Sequence, residues 1–176
     1  MASSTVSFDQ LAEQCQEEGL NATNVLRIAT DLARSFGVHD DEVAILQIET
    51  NQLKFLHPAK LANVGMIPLS HSSSVAARTA NTRRAEVINN FAQQRHASVF
   101  EAVPIDSKTR GENKPERNAM VIQKMMSVPV AGPAGVLGVI QLSRKGSSPK
   151  TAGPDFQQSD LQRLVAAAAL LAKCFK

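Results

Sequence analysis

A chain of 176 residues accommodates one domain with a single substantial core. Its 43% hydrophobic and 20% charged residues fit a globular protein, and no apolar run nears the roughly 20 residues of a membrane helix. A formal charge of +3 spread along the chain, with 4% aromatics and no Trp or Tyr, leaves nucleic-acid binding without a basic stripe or stacking platform.

MASSTVSFDQ has neither the basic start nor the apolar centre of a secretory signal, so a cytoplasmic location is expected. Phe8, Leu11, Ala12 and Cys15 recur at helical spacing. After Gly19 comes a second series, Val25, Ile28, Ala29, Leu32, Ala33 and Phe36, stopped by Gly37. EVAILQIE (42–49) and LKFLH (53–57) flank Thr50-Asn51-Gln52 and read as a hairpin. Residues 59–69 read as an irregular connection. Ser72, Ser73 and Ser74 then offer caps for a short helix, VAARTA, followed by the strand AEVIN and a polar stretch, FAQQRHASVFEAV.

Residues 105–118 mix basic and acidic side chains with Gly111 and Pro115, as in a solvated loop. VIQKMMSVPV (121–130) and VLGVIQLSR (136–144), joined through Gly132-Pro133-Ala134-Gly135, are apolar at both alternating sets of positions. They therefore belong mid-sheet with both faces covered. In the last helix Leu161, Leu164, Val165, Ala168, Leu171, Ala172 and Phe175 form an apolar stripe, and Ser159 and Gln162 have capping-box spacing. This order predicts an α+β fold with a largely antiparallel sheet.

Two cysteines, Cys15 and Cys174, at opposite ends of the sequence, make neither a disulfide framework nor a metal site. The histidines at 39, 57, 71 and 96 lack HExxH spacing, and there is no GxSxG elbow or phosphate-binding P-loop. Ser73 and Ser74 either cap the short helix or present polar groups to a ligand at its N-terminus. Met120, Met125 and Met126 suit a core or an adaptable cavity wall. Alternation puts Ile122, Lys124, Met126 and Val128 on one strand face. Arg83-Arg84 reads as turn charge.

Three stretches, IPLSHSSSVAARTANTRRAEVIN, SVPVAGPAGVLGVIQLSRK and DFQQSDLQRLVAAAALLA, in this order resemble segments of the GAF family of ligand-sensing domains. The resemblance spans roughly residues 22–175. It implies about six strands, terminal helices packed on one face, and a ligand-type cavity on the other. Residues 1–20 would be an N-terminal helix or extension and 21–176 the GAF-like domain, with the last helix starting near Gln157.

Family members bind varied small molecules or use the helical face to dimerise. No cysteine lies near the pocket segments to carry a bilin, and no other cofactor is identified. A reductase of free methionine sulfoxide needs cysteines that exchange thiol and disulfide, and none lies between 16 and 173. The cyclic-nucleotide pattern of Asn-Lys, a distant Phe and Asp-Glu is not matched at Asn89-Asn90-Phe91. The chain is expected to be a sensory or regulatory module and not an enzyme. It would bind a small uncharged or anionic molecule non-covalently, dimerise through its terminal helices, and signal to a downstream protein.

The candidate ligand residues are Ser73, Ser74, Asn89, Asn90, Phe91, Arg95, His96 and Met126. The amides would orient a ligand, Phe91 would make apolar contact, and Arg95 would hold a carboxylate or phosphate. The alternative is a structural interaction module whose cavity is filled by its own side chains; for Asn89 and its neighbours, local hydrogen bonding is the competing role.

Overall fold

The computed structural model describes residues 8–71, 73–93 and 121–175. Its order is α1 (Phe8–Glu18), α2 (Ala22–Phe36), β1 (Val43–Glu49), β2 (Gln52–His57), β3 (Met66–Pro68), α3 (Val75–Thr82), β4 (Glu86–Ile88), β5 (Val121–Gly132), β6 (Gly135–Gly146) and α4 (Gln158–Leu171). The six strands form one antiparallel sheet in the order β3-β2-β1-β6-β5-β4. No helix among the described residues is long and apolar enough to cross a membrane.

Local chemistry sets the ends of α2. The Asn21 side-chain oxygen accepts from the Asn24 amide at 2.8 Å, and Gly37 closes the helix in the left-handed region. The β1–β2 hairpin turns on Thr50 and Asn51, both at positive φ, as a tight two-residue loop of right-twisted strands requires. For α4 the capping box is Gln157 with Asp160, whose carboxylate accepts from the Gln157 amide at 2.7 Å. Ser159 and Gln162 lie inside the helix instead, which corrects the capping pair expected from spacing and agrees with the start near Gln157.

The sheet has a different layer on each face. On one, α1, α2 and α4 pack their apolar stripes over Ile45, Met126, Val128, Val130, Ile140 and Leu142. Helix α1, assigned from sequence to an extension, contributes Leu11, Ala12 and Cys15 to this same core. Val165, expected in the α4 stripe, faces outward and is 44% exposed. On the other face α3 and the 3₁₀ turn at Ala59–Asn63 cover the sheet, with Leu46, Phe55, Ile67, Ala76 and Val139 buried between the layers.

Strand β5 does not keep simple alternation. Its register with β6 shifts between Ile122 and Lys124. The extra residue, Gln123, is buried and donates to the Gly146 carbonyl at 3.0 Å. The shift sends Ile122 to the α3 face, where it packs beside Met125 and Phe91, while Lys124 takes the opposite face. This corrects the expectation that Ile122 and Lys124 share a face. Lys124 is buried, and its ammonium donates to the Gly153 carbonyl and pairs with Asp155, each at 2.6 Å.

Candidate functional site

The α3 face carries the buried polar groups that an apolar sheet would otherwise lack. Ser74 caps α3: its hydroxyl accepts from the Ala77 amide at 3.2 Å, and the residue is fully buried. Beside it the Ser73 hydroxyl is 3.0 Å from His71 Nδ1. These are the capping and turn roles that serine chemistry predicts at a helix start.

One turn into α3, Thr79 donates to the Val75 carbonyl at 2.9 Å, and its oxygen lies 2.7 Å from the Ser127 hydroxyl of β5. Gln141 of β6, directly opposite Ser127 in the ladder, donates to the Ser127 oxygen at 3.2 Å. Each hydroxyl has one proton, so the direction of the chain is fixed. Gln141 donates to Ser127, Ser127 to Thr79, and Thr79 to the Val75 carbonyl. All three side chains are buried. Both hydroxyl protons are used, whereas Gln141 uses one donor of its amide.

Around this chain the face is apolar and divided. Ala76, Ala77, Ala80 and Val139 lie on one side. Val75, Ile88, Phe91 and Met125 form a separate cluster on the other. The small alanines let α3 approach the sheet closely enough for Thr79 to reach Ser127.

The structure separates the residues predicted for the site. Ser73, Ser74 and Phe91 come together at the start of α3, with Phe91 buried against Val75. Asn90 is exposed next to them. Asn89 turns away: its amide donates to the Phe156 carbonyl at 3.1 Å and accepts from the Phe156 N–H at 2.9 Å. Both ends of its amide therefore brace the segment leading into α4. Met126 is fully buried on the opposite face, among the terminal helices, because successive residues of β5 alternate sides. That position takes it out of any pocket under α3, and Met125 occupies the α3 side instead. Arg95 and His96 lie outside the described residues, as do Met120 and the 105–118 loop.

Thr79, Ser127 and Gln141 were not singled out from sequence. A signal for two of them was present, since Ser127 and Gln141 each interrupt an otherwise apolar run in a strand expected to be covered on both faces. Among the described residues no group of His, Cys, Asp and Glu is arranged to hold a metal.

A comparison with curated proteins gives no match. Solved structures do resemble the chain. The GAF domain of an Acinetobacter phosphoenolpyruvate-protein phosphotransferase matches with a TM-score of 0.65 at 13% identity, covering 99% of this chain and 94% of that one. The GAF-B domain of DevS from Mycobacterium smegmatis gives 0.55 at 12% identity, covering 88% and 93%. A free methionine-R-sulfoxide reductase from Neisseria meningitidis gives 0.59 at 14% identity, covering 99% and 92%.

The last of these overturns the expectation that this chain is not an enzyme, because the same fold over the same length carries a catalyst. The absence of cysteines between 16 and 173 does not exclude thiol chemistry either. Distance along the sequence does not measure distance in the fold, and Cys15 and Cys174 lie buried in one core. The GAF domain family model matches residues 22–175, and together with the antiparallel sheet between a helical layer and α3 this establishes that the chain belongs to the GAF domain family.

Proposed function

We propose that this GAF domain is a regulatory or sensory module that takes a small uncharged or anionic molecule, non-covalently, on the α3 face of its sheet. The observation that carries this reading is the buried polar chain of Gln141, Ser127 and Thr79, set into a face that is otherwise apolar. A few buried polar groups on an apolar wall are what orient a small ligand in a binding site. Ser73, Ser74, Asn90 and Phe91 border the same region, while Arg95 and His96 stay in the proposal as groups for an anionic ligand.

Native mass spectrometry of the purified protein, followed by thermal-shift screening of small neutral and anionic metabolites, tests it. A bound or stabilising compound should lose at least about tenfold in affinity in Gln141→Leu, roughly 1.4 kcal/mol, while the variant keeps its fold. Unchanged affinity in Gln141→Leu would remove the residue from the site.

A second reading, an interaction module whose face is filled by its own side chains, has support of a different kind. Leu26 of α2 and Val165 of α4 are 55% and 44% exposed on the helical layer. Under it, Gln141→Leu would equal or exceed the stability of the parent, no compound would bind, and light scattering would report a dimer that Leu26→Glu dissociates.

A further inference from the structure

The two cysteines stand at opposite ends of the sequence but share one place in the fold. Cys15 lies on the buried stripe of α1 with Leu11 and Ala12, and Cys174 lies in the 3₁₀ turn that follows α4. Both are buried in the core under the terminal helices, at 0% and 1% exposure. The Cys174 thiol donates to the carbonyl of Ala12 at 3.7 Å, one helical turn before Cys15 on the same stripe. The Cys174 thiol lies near enough to that of Cys15 to favour its ionised form. Both are reduced.

We propose that Cys15 and Cys174 are a dithiol couple that a small disulfide oxidant such as glutathione disulfide closes into an intramolecular bond, fastening α1 to the turn after α4. The thiolate of one cysteine attacks a sulfur of the oxidant's S–S bond, releasing one glutathione thiolate and leaving a mixed disulfide. The thiolate of the other attacks the protein-side sulfur of that bond, forms the Cys15–Cys174 link and expels the second glutathione. The protein gives up two electrons and two thiol protons; the oxidant takes both and becomes two thiols.

Burial sets the conditions for this exchange. Removal from water pushes the Cys15 thiol up from its ordinary value, with the Cys174 thiol and the nearby Arg27 acting against that rise and Glu18 adding to it. The core must also open for an oxidant to enter. The opening that serves is a local undocking of α1 from α4 and the turn beyond it, which leaves the sheet intact. Closing the bond removes that motion. The couple is therefore a modification site that changes the mobility of the helical layer without touching the α3 face.

The test uses the full chain in a series of glutathione redox buffers, acid-quenched, denatured and alkylated before intact mass measurement. The expected product has lost two hydrogens, carries no alkyl group and no glutathione, and gives a non-reducing peptide map linking Cys15 to Cys174. It should melt about 4–16 °C above the reduced protein, and a dithiol reductant should reverse the shift. Cys15→Ala and Cys174→Ala should each lose both the link and the shift. The proposal is overturned if both thiols remain alkylatable across the series, if oxidation stops at a glutathione adduct, or if the link joins two copies of the chain. The wild-type peptide map decides between these outcomes even where an alanine variant folds poorly.

Discussion

Replacing Asn89 by alanine separates bracing from ligand contact at the residue where both were expected. Its side chain makes two hydrogen bonds to the backbone of Phe156, donating at 3.1 Å and accepting at 2.9 Å, in the pattern of a strand pairing with its neighbour. Asn89 is half-buried. Water can replace part of what is lost, which keeps the cost near the ordinary net value of about 1 kcal/mol per bond. The two bonds together predict a loss of about 2 kcal/mol, a fall of roughly 4–8 °C in melting temperature for a chain of this size.

Asn89→Asp refines the test. The carboxylate can still accept from the Phe156 N–H but cannot donate to its carbonyl, and it places an anionic oxygen against that carbonyl. It should therefore destabilise at least as much as alanine above the carboxylate range and recover in part below it. Urea titrations at two pH values measure all three proteins. A change under about 0.5 kcal/mol in Asn89→Ala, combined with weakened binding of any ligand found, would refute the bracing role and return Asn89 to the site.

Two further predictions follow from the packed interior. A β-carbon at Gly138 would sit 2.2 Å from the Leu46 carbonyl oxygen and 2.7 Å from the Phe175 ring. Because the first obstacle is the backbone of the paired strand β1, Gly138→Ala should cost about 3 kcal/mol or more; a denaturation midpoint matching the parent would mean that β1 and β6 separate more easily than their register indicates. Burial holds the Cys15 thiol above its ordinary value of 9.0, with Cys174, Arg27 and Glu18 around it. As pH rises past 9.0 the unfolded chain loses this proton first, so stability is full below that value and declines as pH climbs toward the folded pKa. Cys15→Ala should remove that part of the alkaline decline, and identical profiles in denaturant melts would count against it.

Much of the fold was legible because burial leaves period-3.6 and period-2 patterns. The stripes of α1 and α2, the β1–β2 hairpin and the doubly covered pair β5–β6 all carry them. Strand β3 left no such mark. It has three residues, ends on Pro68, and lies at the sheet edge, where a missing N–H costs no ladder bond. The bulge at Gln123 was hidden for a related reason. Alternation counts residues, and one extra residue reverses the face of everything before it.

The candidate site was read less well than the fold. Phe91 and the serines were placed near α3 by chain order, but Asn89 and Met126 depended on side-chain direction. One residue of register separates Met125, under α3, from Met126, under the terminal helices. Thr79, Ser127 and Gln141 come from three separated elements, and a linear reading has no way to bring their hydroxyls and amide together.

The sheet order also bears on how the chain assembles in time. Strand β6 lies between β1 and β5, and its partner β1 comes from the other end of the sequence, with Val43 opposite Leu142. The β5–β6 hairpin is local and forms readily once made, whereas β1 has to wait for a neighbour that a ribosome delivers only after β2 to β5. Until then α2 and the β1–β2 hairpin carry apolar faces with nothing to cover them. Folding should therefore finish late and in one step, with the C-terminal hairpin as the template on which the N-terminal half is completed.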